Sequence, residues 1–512
     1  MRIREIAFAL ALCLVHLSAR AELPPDLEPR ARAIVDEERA LAGTPAMSVA
    51  IFADGKVVAL FASGEADVEA HVPATTETLF QAASVTKILT AALVMREVER
   101  GRLSLDAPVN DSLPPERQVR DASDAPVPVT LRQLLSHSSG IPPSIAGIQE
   151  DPNEPPRGLD DFLAHGLRTS RPPGEKLMYA NDAFALAGWL AARAEAESFD
   201  ALARSALFEP LEMSHSTFAP PKDAGPALAA AYGGTGPFTG KSRVPHQTIS
   251  AAAPAGALIT TASDLARLGL ALLHGGELDG ARVLAPESVA EMMRMQARAH
   301  PRLPEGFGLG FGVREVPGRK VVWWDGGLAG VAARLALLPE HGVGVAILSN
   351  LANNAPVSTA ATRILELLVP TQRAVTPPSS AADDAAQVGT YTLHDVLDPK
   401  LRFIEWFANV RVWRESDGLR LALPLAAGPL RLEPAGDGNY TIDGRSMSPG
   451  SFVRFDGDRL YLGFLQADRI SKWRSARAVF AYAGLVVLAL VGGVVWLAVR
   501  WLRRRRRRAR AL

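Results

Sequence analysis

Ser84-Val85-Thr86-Lys87 opens a helical stretch and places a hydroxyl three residues before an amine. The chain has 8 lysines and 47 arginines, and no other lysine follows a serine at this distance. Arginine stays protonated in proteins, whereas the pKa of lysine shifts readily when the side chain is buried. A lysine at this position of an arginine-rich chain therefore indicates an amine that can lose its proton.

Apolar residues recur at helical spacing behind the tetrad, and Gly101 closes the pattern. The spacing predicts that Ser84 lies near a helix N-terminus, with Lys87 one turn later on the same face. The helix dipole there favours negative charge on the serine oxygen. A neutral Lys87 amine could take the Ser84 proton and give an activated nucleophile without histidine.

A second motif, Tyr179-Ala180-Asn181, precedes an apolar helix predicted over residues 184–190. A tyrosine hydroxyl and a side-chain amide on one short turn could shuttle a proton and orient an acyl group. Alone, this motif fits a packed tyrosine better than a catalytic one. Its position after the Ser84 tetrad favours the chemical interpretation.

In these motifs the chain resembles the serine β-lactamase and penicillin-binding-protein-like hydrolases, in their class C β-lactamase/esterase branch, over residues 46–369. Further family-like segments occur in the family's order: Pro45-Ala46-Met47-Ser48-Val49-Ala50, Leu134-Leu135-Ser136-His137-Ser138-Ser139-Gly140, Pro254-Ala255-Gly256 and Phe307-Gly308-Leu309-Gly310-Phe311-Gly312. The resemblance implies that Ser84 is the acylated nucleophile, Lys87 its base or base partner, and Tyr179 the proton relay. It also implies that Asn181 contacts the carbonyl side of the substrate.

The family's third motif lies on a strand and usually begins with Lys or His. By the resemblance, Asp325 takes this position. A carboxylate there would repel a substrate carboxylate by about 1 kcal/mol in water at ~4 Å. Asp325 could also pair with Lys87 and raise its pKa, or bond a backbone amide elsewhere. The resemblance assigns the oxyanion hole to the N–H groups of Ser84 and Leu328, with Gly326 and Gly327 allowing close approach to substrate.

The resemblance and the strand pattern predict a mixed α/β catalytic domain over residues 22–373, with an antiparallel sheet flanked by helices. Its strands include a hairpin over 47–61, a strand over 320–324 and a pair over 332–349, and a largely helical insertion covers 103–246. The composition of residues 374–386 indicates a linker. Short segments split by Asp-Gly turns then predict a small all-β sandwich or barrel over 387–473, which we interpret as a spacer or, alternatively, a substrate gate.

Other candidate residues have structural interpretations. His137 fits a helix cap better than a catalytic base. His274-Gly275-Gly276 resembles the third motif but ends a helix predicted over 263–272. The 10 histidines and single cysteine show no zinc-ligand spacing, and no glycine-rich nucleotide motif follows a strand. We therefore expect neither a metal nor a cofactor.

The termini predict export and anchoring. Residues 1–21 fit a signal peptide that removes Cys13. Residues 478–499 form an apolar run long enough to span a bilayer, and the Arg-rich tail 500–512 would stay cytoplasmic and contact anionic lipids. We expect a single-pass protein of the inner or plasma membrane with its catalytic domain outside the cytoplasm.

Charge excludes nucleic acid as an expected partner. Residues 22–499 carry 44 basic and 54 acidic residues, a net charge of 44 − 54 = −10. The leading hypothesis is a serine hydrolase acting on small esters, amides or D-amino-acid peptides. One alternative is a D-alanyl-D-alanine carboxypeptidase or β-lactamase. The other is an envelope-binding protein that is catalytically inactive because Asp325 replaces the usual Lys or His.

Overall fold

A computed structural model describes residues 23–144, 157–219, 227–233, 242–247, 249–371, 385–397, 399–405, 408–424, 428–443, 451–471 and 474. The predicted signal peptide, the apolar span over 478–499, the Arg-rich tail and most of the predicted linker lie outside these residues. Within the described part of the chain, no helix is both long and apolar enough to cross a membrane. The span therefore stays a prediction.

The α-helices follow one another as α1 (Leu27–Ala42), α2 (Thr86–Glu99), α3 (Leu131–Leu135), α4 (Leu159–Phe162), α5 (Asn181–Glu195), α6 (Phe199–Ala203), α7 (Ala253–Gly256), α8 (Ala262–Leu273), α9 (Pro286–Met293), α10 (Asn354–Leu368) and α11 (Arg402–Glu405). The predicted end of a helix at His274 is confirmed, because α8 stops one residue earlier. The helix predicted behind the Ser84 tetrad is confirmed as α2.

The strands of the catalytic domain are β1 (Ala46–Ala53), β2 (Lys56–Asp67), β3 (Val72–Pro73), β4 (Phe80–Gln81), β5 (Ala231–Gly233), β6 (Ser242–Val244), β7 (Ile259–Thr260), β8 (Glu277–Leu278), β9 (Ala281–Arg282), β10 (Glu305–Phe307), β11 (Gly312–Val316), β12 (Arg319–Leu328), β13 (Val331–Leu338) and β14 (Val343–Ser349). Eight of them form one antiparallel sheet in the order β10-β11-β12-β13-β14-β1-β2-β3. The predicted antiparallel sheet is confirmed.

Both faces of this sheet are covered by helices. Every residue of β1, β13 and β14 is buried, which explains why these strands are apolar on both sides instead of alternating. Helices α1 and α10 pack on one face, where Val35, Ile347 and Ile364 share a core. Helices α2, α5 and α8 build the larger core on the other face, which includes Phe52 and Phe184.

The second domain is a closed barrel of eight antiparallel strands: β15 (Gly389–Leu393), β16 (Asn409–Glu415), β17 (Gly418–Ala422), β18 (Leu430–Gly436), β19 (Asn439–Asp443), β20 (Phe452–Asp456), β21 (Arg459–Leu462) and β22 (Leu465–Ile470). β22 pairs with β15 and closes the ring. The predicted Asp-Gly turns connect β16 to β17, β18 to β19 and β20 to β21. Of the two all-β architectures predicted, the barrel is therefore correct.

Candidate active site

Ser84 lies on a sharp turn between β4 and α2. Ala83 has a φ of 47°, and Ala83–Val85 form a 3₁₀-helix that runs directly into α2. A left-handed backbone at a residue other than glycine is costly and persists only where its surroundings fix it. Within residues 80–95, Ser84 is the one side chain that is not buried. Within this segment, Ser84 is therefore the one side chain that solvent reaches.

Thr86 fixes this turn, a role that the sequence motif did not predict. Its hydroxyl donates to the Ala83 carbonyl at 2.6 Å and accepts from the Leu258 N–H at 3.0 Å. The Ala82 N–H in turn donates to the Leu258 carbonyl at 2.7 Å. The signal was present in the sequence, since a hydroxyl in a buried helical turn requires hydrogen-bond partners.

Lys87 lies one turn behind Ser84, as predicted, and is fully buried. Its Nζ lies 3.0 Å from Ser84 Oγ, 2.8 Å from Asn181 Oδ1 and 2.7 Å from the Ala255 carbonyl oxygen. Burial lowers the pKa of Lys87 well below its usual value. A neutral amine has two N–H groups and one lone pair. Asn181 and Ala255 accept from the two N–H groups, which leaves the lone pair for the Ser84 hydroxyl.

Tyr179 approaches Ser84 from the turn that precedes α5. Its hydroxyl lies 2.7 Å from Ser84 Oγ, and Asn181 is the first residue of the helix. Burial raises the pKa of Tyr179, so the phenol holds its proton at neutral pH. With the Ser84 proton directed at Lys87, the Tyr179 hydroxyl can donate to Ser84 Oγ. The structure thus brings together Ser84, Lys87, Tyr179 and Asn181, the four residues that the two motifs supply.

His137 packs against the Tyr179 ring and holds the backbone beside it. In the described structure it does not contact Ser84. The ring centroids of His137 and Tyr179 are 4.6 Å apart, and His137 Nδ1 accepts from the Ala180 N–H at 3.2 Å. Burial lowers the pKa of His137 well below its usual value, and a proton on Lys87 would lower it further. The imidazole is therefore neutral. The sequence-based interpretation of His137 as structural fits this position, although the residue braces the Tyr179 turn instead of capping a helix.

Trp324, one residue before the predicted position, faces the site. Its ring is stacked at 5.6 Å from His137 and 6.1 Å from Tyr179. Side chains alternate between the two faces of a strand, so the residue after Trp324 faces the other way. The sequence analysis did not predict that Trp324 contacts His137 and Tyr179.

Asp325 forms an ion pair on the opposite face of β12. Its two carboxylate oxygens accept from Arg334 Nε at 2.6 Å and Arg334 Nη2 at 2.8 Å, and Ser358 of α10 lies 3.5 Å away. Of the two alternatives that the sequence left open, the pairing of Asp325 with Lys87 is wrong, and Asp325 instead points elsewhere, although its partner is Arg334 and not a backbone amide. Strand alternation turns its side chain toward α10.

Gly326 allows β12 to approach the nucleophile turn closely. A methyl group on Gly326 would lie 2.0 Å from the Ala82 carbonyl oxygen, so no other residue fits without a shift of the backbone. Asn354, at the start of α10, donates to the Gly326 carbonyl at 2.9 Å. Gly327 is exposed and Leu328 is half-buried at the end of the strand. Their backbone amides therefore lie beside the turn that carries Ser84.

The barrel also reaches this site. Phe464 connects β21 to β22, and its ring centroid lies 6.5 Å from Tyr179 and 5.2 Å from Phe307. The interpretation of the β-domain as a plain spacer did not anticipate this contact. Among the residues that the structure describes, no group of three or more His, Cys, Asp or Glu side chains could hold a metal ion.

A serine bonded to a buried lysine, with a tyrosine and an asparagine beside it, defines a serine hydrolase of the penicillin-binding-protein and β-lactamase type. The family described as Beta-lactamase matches residues 31–369, and the chain belongs to this family. It is 32% identical over 317 residues to penicillin-binding protein 4 of Amycolatopsis lactamdurans, an alignment that covers 60% of this chain and 81% of that protein.

Two solved structures match this chain beyond the catalytic domain. The octameric penicillin-binding protein homologue from Pyrococcus abyssi matches with a TM-score of 0.59 at 23% identity, over 86% of this chain and 99% of that one. SurE matches with a TM-score of 0.57 at 25% identity, over 87% of this chain and 99% of that one. Both coverages exceed the length of the catalytic domain.

Proposed function

We propose that this serine hydrolase cleaves small esters, amides or D-amino-acid peptides through an acyl-enzyme on Ser84. The observation that carries the proposal is the set of contacts around Lys87. A buried amine with a lowered pKa lies 3.0 Å from Ser84 Oγ, and Ser84 is the one side chain within residues 80–95 that is not buried. An amine in this setting serves as a general base, because its lone pair is available at neutral pH.

In the proposed reaction, Ser84 Oγ attacks the carbonyl carbon while its proton moves to Lys87 Nζ. The bond between the carbonyl carbon and the leaving group breaks, and the leaving group takes the Tyr179 proton. The proton on Lys87 then passes to Tyr179, so that both side chains regain their starting states and the proton lost from Ser84 has in effect left with the leaving group. Water releases the acid in a second step. Backbone amides near Ser84 and Leu328 would stabilise the oxyanion, each contributing about 100- to 1,000-fold in rate.

Neutral groups around Tyr179 support a neutral substrate. Trp324, one residue before the third motif, stacks against Tyr179, and Asp325 is paired with Arg334 on the other face of the strand. The side of β12 that faces Tyr179 is therefore apolar at this point. An unguisins hydrolase from Aspergillus campestris, 27% identical over 60% of this chain and 58% of its own length, supports hydrolysis as the reaction class. We also propose that the predicted signal peptide and span place the enzyme on the outer side of the membrane.

The test is intact-mass spectrometry of the full chain after treatment with a fluorophosphonate. We expect one probe mass on the wild type and on Ser112→Ala, a control that removes an exposed serine, and none on Ser84→Ala. Absence of an adduct on folded wild type would contradict the proposal and favour the inactive envelope-binding alternative. Labelling by a fluorescent penicillin, lost in Ser84→Ala, would favour the penicillin-binding alternative and show that a substrate carboxylate is tolerated.

A further inference from the structure

The barrel is held against the catalytic domain by a buried carboxylate. Glu305 of β10 is 3% exposed and accepts a hydrogen bond from the Phe452 N–H of the barrel at 2.8 Å. Arg314 balances its charge at 2.8 Å. The Gly463 N–H donates to the Phe452 carbonyl at 3.1 Å, so the same anchor fixes the β21–β22 turn. This turn is therefore positioned by the catalytic domain.

A second anchor joins the barrel to the loop that leads to Tyr179. The Asp395 carboxylate accepts from Lys176 Nζ at 2.9 Å and from Arg171 Nη2 at 3.2 Å. Burial would raise the pKa of Asp395, but Lys176, Arg171 and Arg402 lower it overall. The carboxylate therefore stays ionised at neutral pH and keeps both contacts.

Phe464 lies between these anchors at the tip of a two-residue turn. Leu462 pairs with Leu465, so Gly463 and Phe464 alone make the turn, and Gly463 has a φ of 55° that a side chain would disfavour. The Phe464 side chain packs on the core of the catalytic domain beside Tyr179 and Phe307, and it remains partly exposed. Its ring centroid lies 6.5 Å from that of Tyr179, the residue that would protonate the leaving group.

We propose that Phe464 is a specificity-determining residue and that the barrel supplies one wall of the leaving-group subsite. The inference rests on the proposed function, in which the leaving group accepts its proton from Tyr179. The ring centroid of Phe464 lies 6.5 Å from that of Tyr179 and 5.2 Å from that of Phe307, and Trp324 stacks on Tyr179 at 6.1 Å. Phe307 and Trp324 are buried, so among these three rings Phe464 is the one that a substrate can reach. Aromatic side chains bind apolar and aryl groups well and gain nothing from a small alcohol. The subsite therefore selects esters and amides whose leaving group carries an aryl or bulky apolar substituent.

The experiment compares two acetate esters, ethyl acetate and 2-phenylethyl acetate, which share the acyl group and release primary alcohols. We expect the ratio of kcat/KM for the phenylethyl ester to that for the ethyl ester to be well above one in wild type. Phe464→Ala should lower this ratio by about 2- to 12-fold, the range for one aromatic pair. Phe464→Tyr, which keeps the ring, should restore it.

Trp413→Ala is the matched control, because it removes a partly exposed aromatic side chain of the barrel that donates to Glu415 and lies beside Arg411. Equal ratios in wild type, Phe464→Ala and Trp413→Ala would overturn the inference. An equal loss of kcat/KM for both esters in Phe464→Ala would also overturn the inference, because an equal loss indicates a structural role. Fluorophosphonate labelling of Ser84 in each variant reports the proposed function separately. If Phe464→Ala does not fold, Phe464→Leu replaces it, and the same ratio of kcat/KM for the two esters tests the inference.

Discussion

Lys87 is buried among uncharged acceptors, so its protonation state couples folding to pH. The folded chain favours the neutral amine, while the unfolded chain binds a proton up to a pKa of about 10.4. The unfolded state therefore holds more protons below that pH, and stability rises as the pH increases toward it. Stability is lost as the pH falls through this window toward the lowered pKa of the folded state.

We expect wild type to gain stability relative to Lys87→Met between about pH 7 and 10, by at most ~1.4 kcal/mol per pH unit. Urea unfolding of both proteins across this range measures the difference. Lys56→Met, which replaces an exposed lysine, provides the control and should run parallel to wild type. Parallel curves for Lys87→Met as well would mean that Lys87 is not neutral in the folded protein.

Tyr179 contributes a hydroxyl that Phe cannot replace. Its O–H lies 2.7 Å from Ser84 Oγ and holds its proton at neutral pH. We expect Tyr179→Phe to lower kcat for ester hydrolysis by about 100- to 10,000-fold with little change in stability. Tyr232→Phe removes a hydroxyl that bonds Val68 and Glu69 and should keep its activity. Full turnover by Tyr179→Phe would exclude it as the proton donor.

At the scale of elements, β12 separates two environments on its two faces. Trp324 belongs to the core around Tyr179, whereas Asp325 belongs to the ion pair beneath α10. Asp325→Asn would leave the 7% exposed Arg334 side chain without its charge partner. We expect the free energy of unfolding to fall by about 2 kcal/mol or more, and Asp325→Asn/Arg334→Met to recover part of it. Chemical denaturation measures both, with the exposed pair of Asp67 and Arg243 as the control through Asp67→Asn.

The same variant tests the register of β12. If Asp325 faced the substrate, Asp325→Asn would raise kcat/KM for an anionic ester relative to a neutral ester. From the ion pair with Arg334 we expect the two esters to change in parallel. A selective gain for the anionic ester would restore the assignment made from the sequence.

Local motifs predicted the elements that carry the site, but not the contacts between them. The helix behind Ser84, the turn at Tyr179 and the antiparallel sheet follow from spacing and resemblance, because each depends on residues close in sequence. Trp324 was missed because the face of a strand is set by its neighbours, and a shift of one residue exchanges the two faces. Phe464 lies about 285 residues from Tyr179 by the numbering, and no local pattern predicts which turn of a barrel touches another domain.

At the scale of the whole molecule, Glu305 connects the stability of the barrel to its docking. Glu305→Ala would remove the acceptor of the Phe452 N–H and the partner of Arg314. We expect amide hydrogen exchange in β20, β21 and β22 to accelerate by about 5- to 150-fold, corresponding to ~1–3 kcal/mol, while α2 and α5 keep their protection. Exchange measured by mass spectrometry checks this prediction.

Glu415→Ala gives the comparison for that experiment, because Glu415 pairs with Arg420 on the exposed side of the barrel. It should leave exchange in β20, β21 and β22 unchanged. Unchanged exchange in Glu305→Ala would show that the barrel is equally stable without its contact to the catalytic domain.

The helix that carries Ser84 has almost no room for change. Every residue from 80 to 95 except Ser84 is buried, so a substitution on this segment disturbs the core before it alters what substrates meet. We therefore expect substrate preference to change through residues that other segments of the chain place beside Ser84. Phe464 is only partly buried and lies on a turn of the barrel, so its side chain can change with a smaller loss of buried contacts than any buried side chain of residues 80–95.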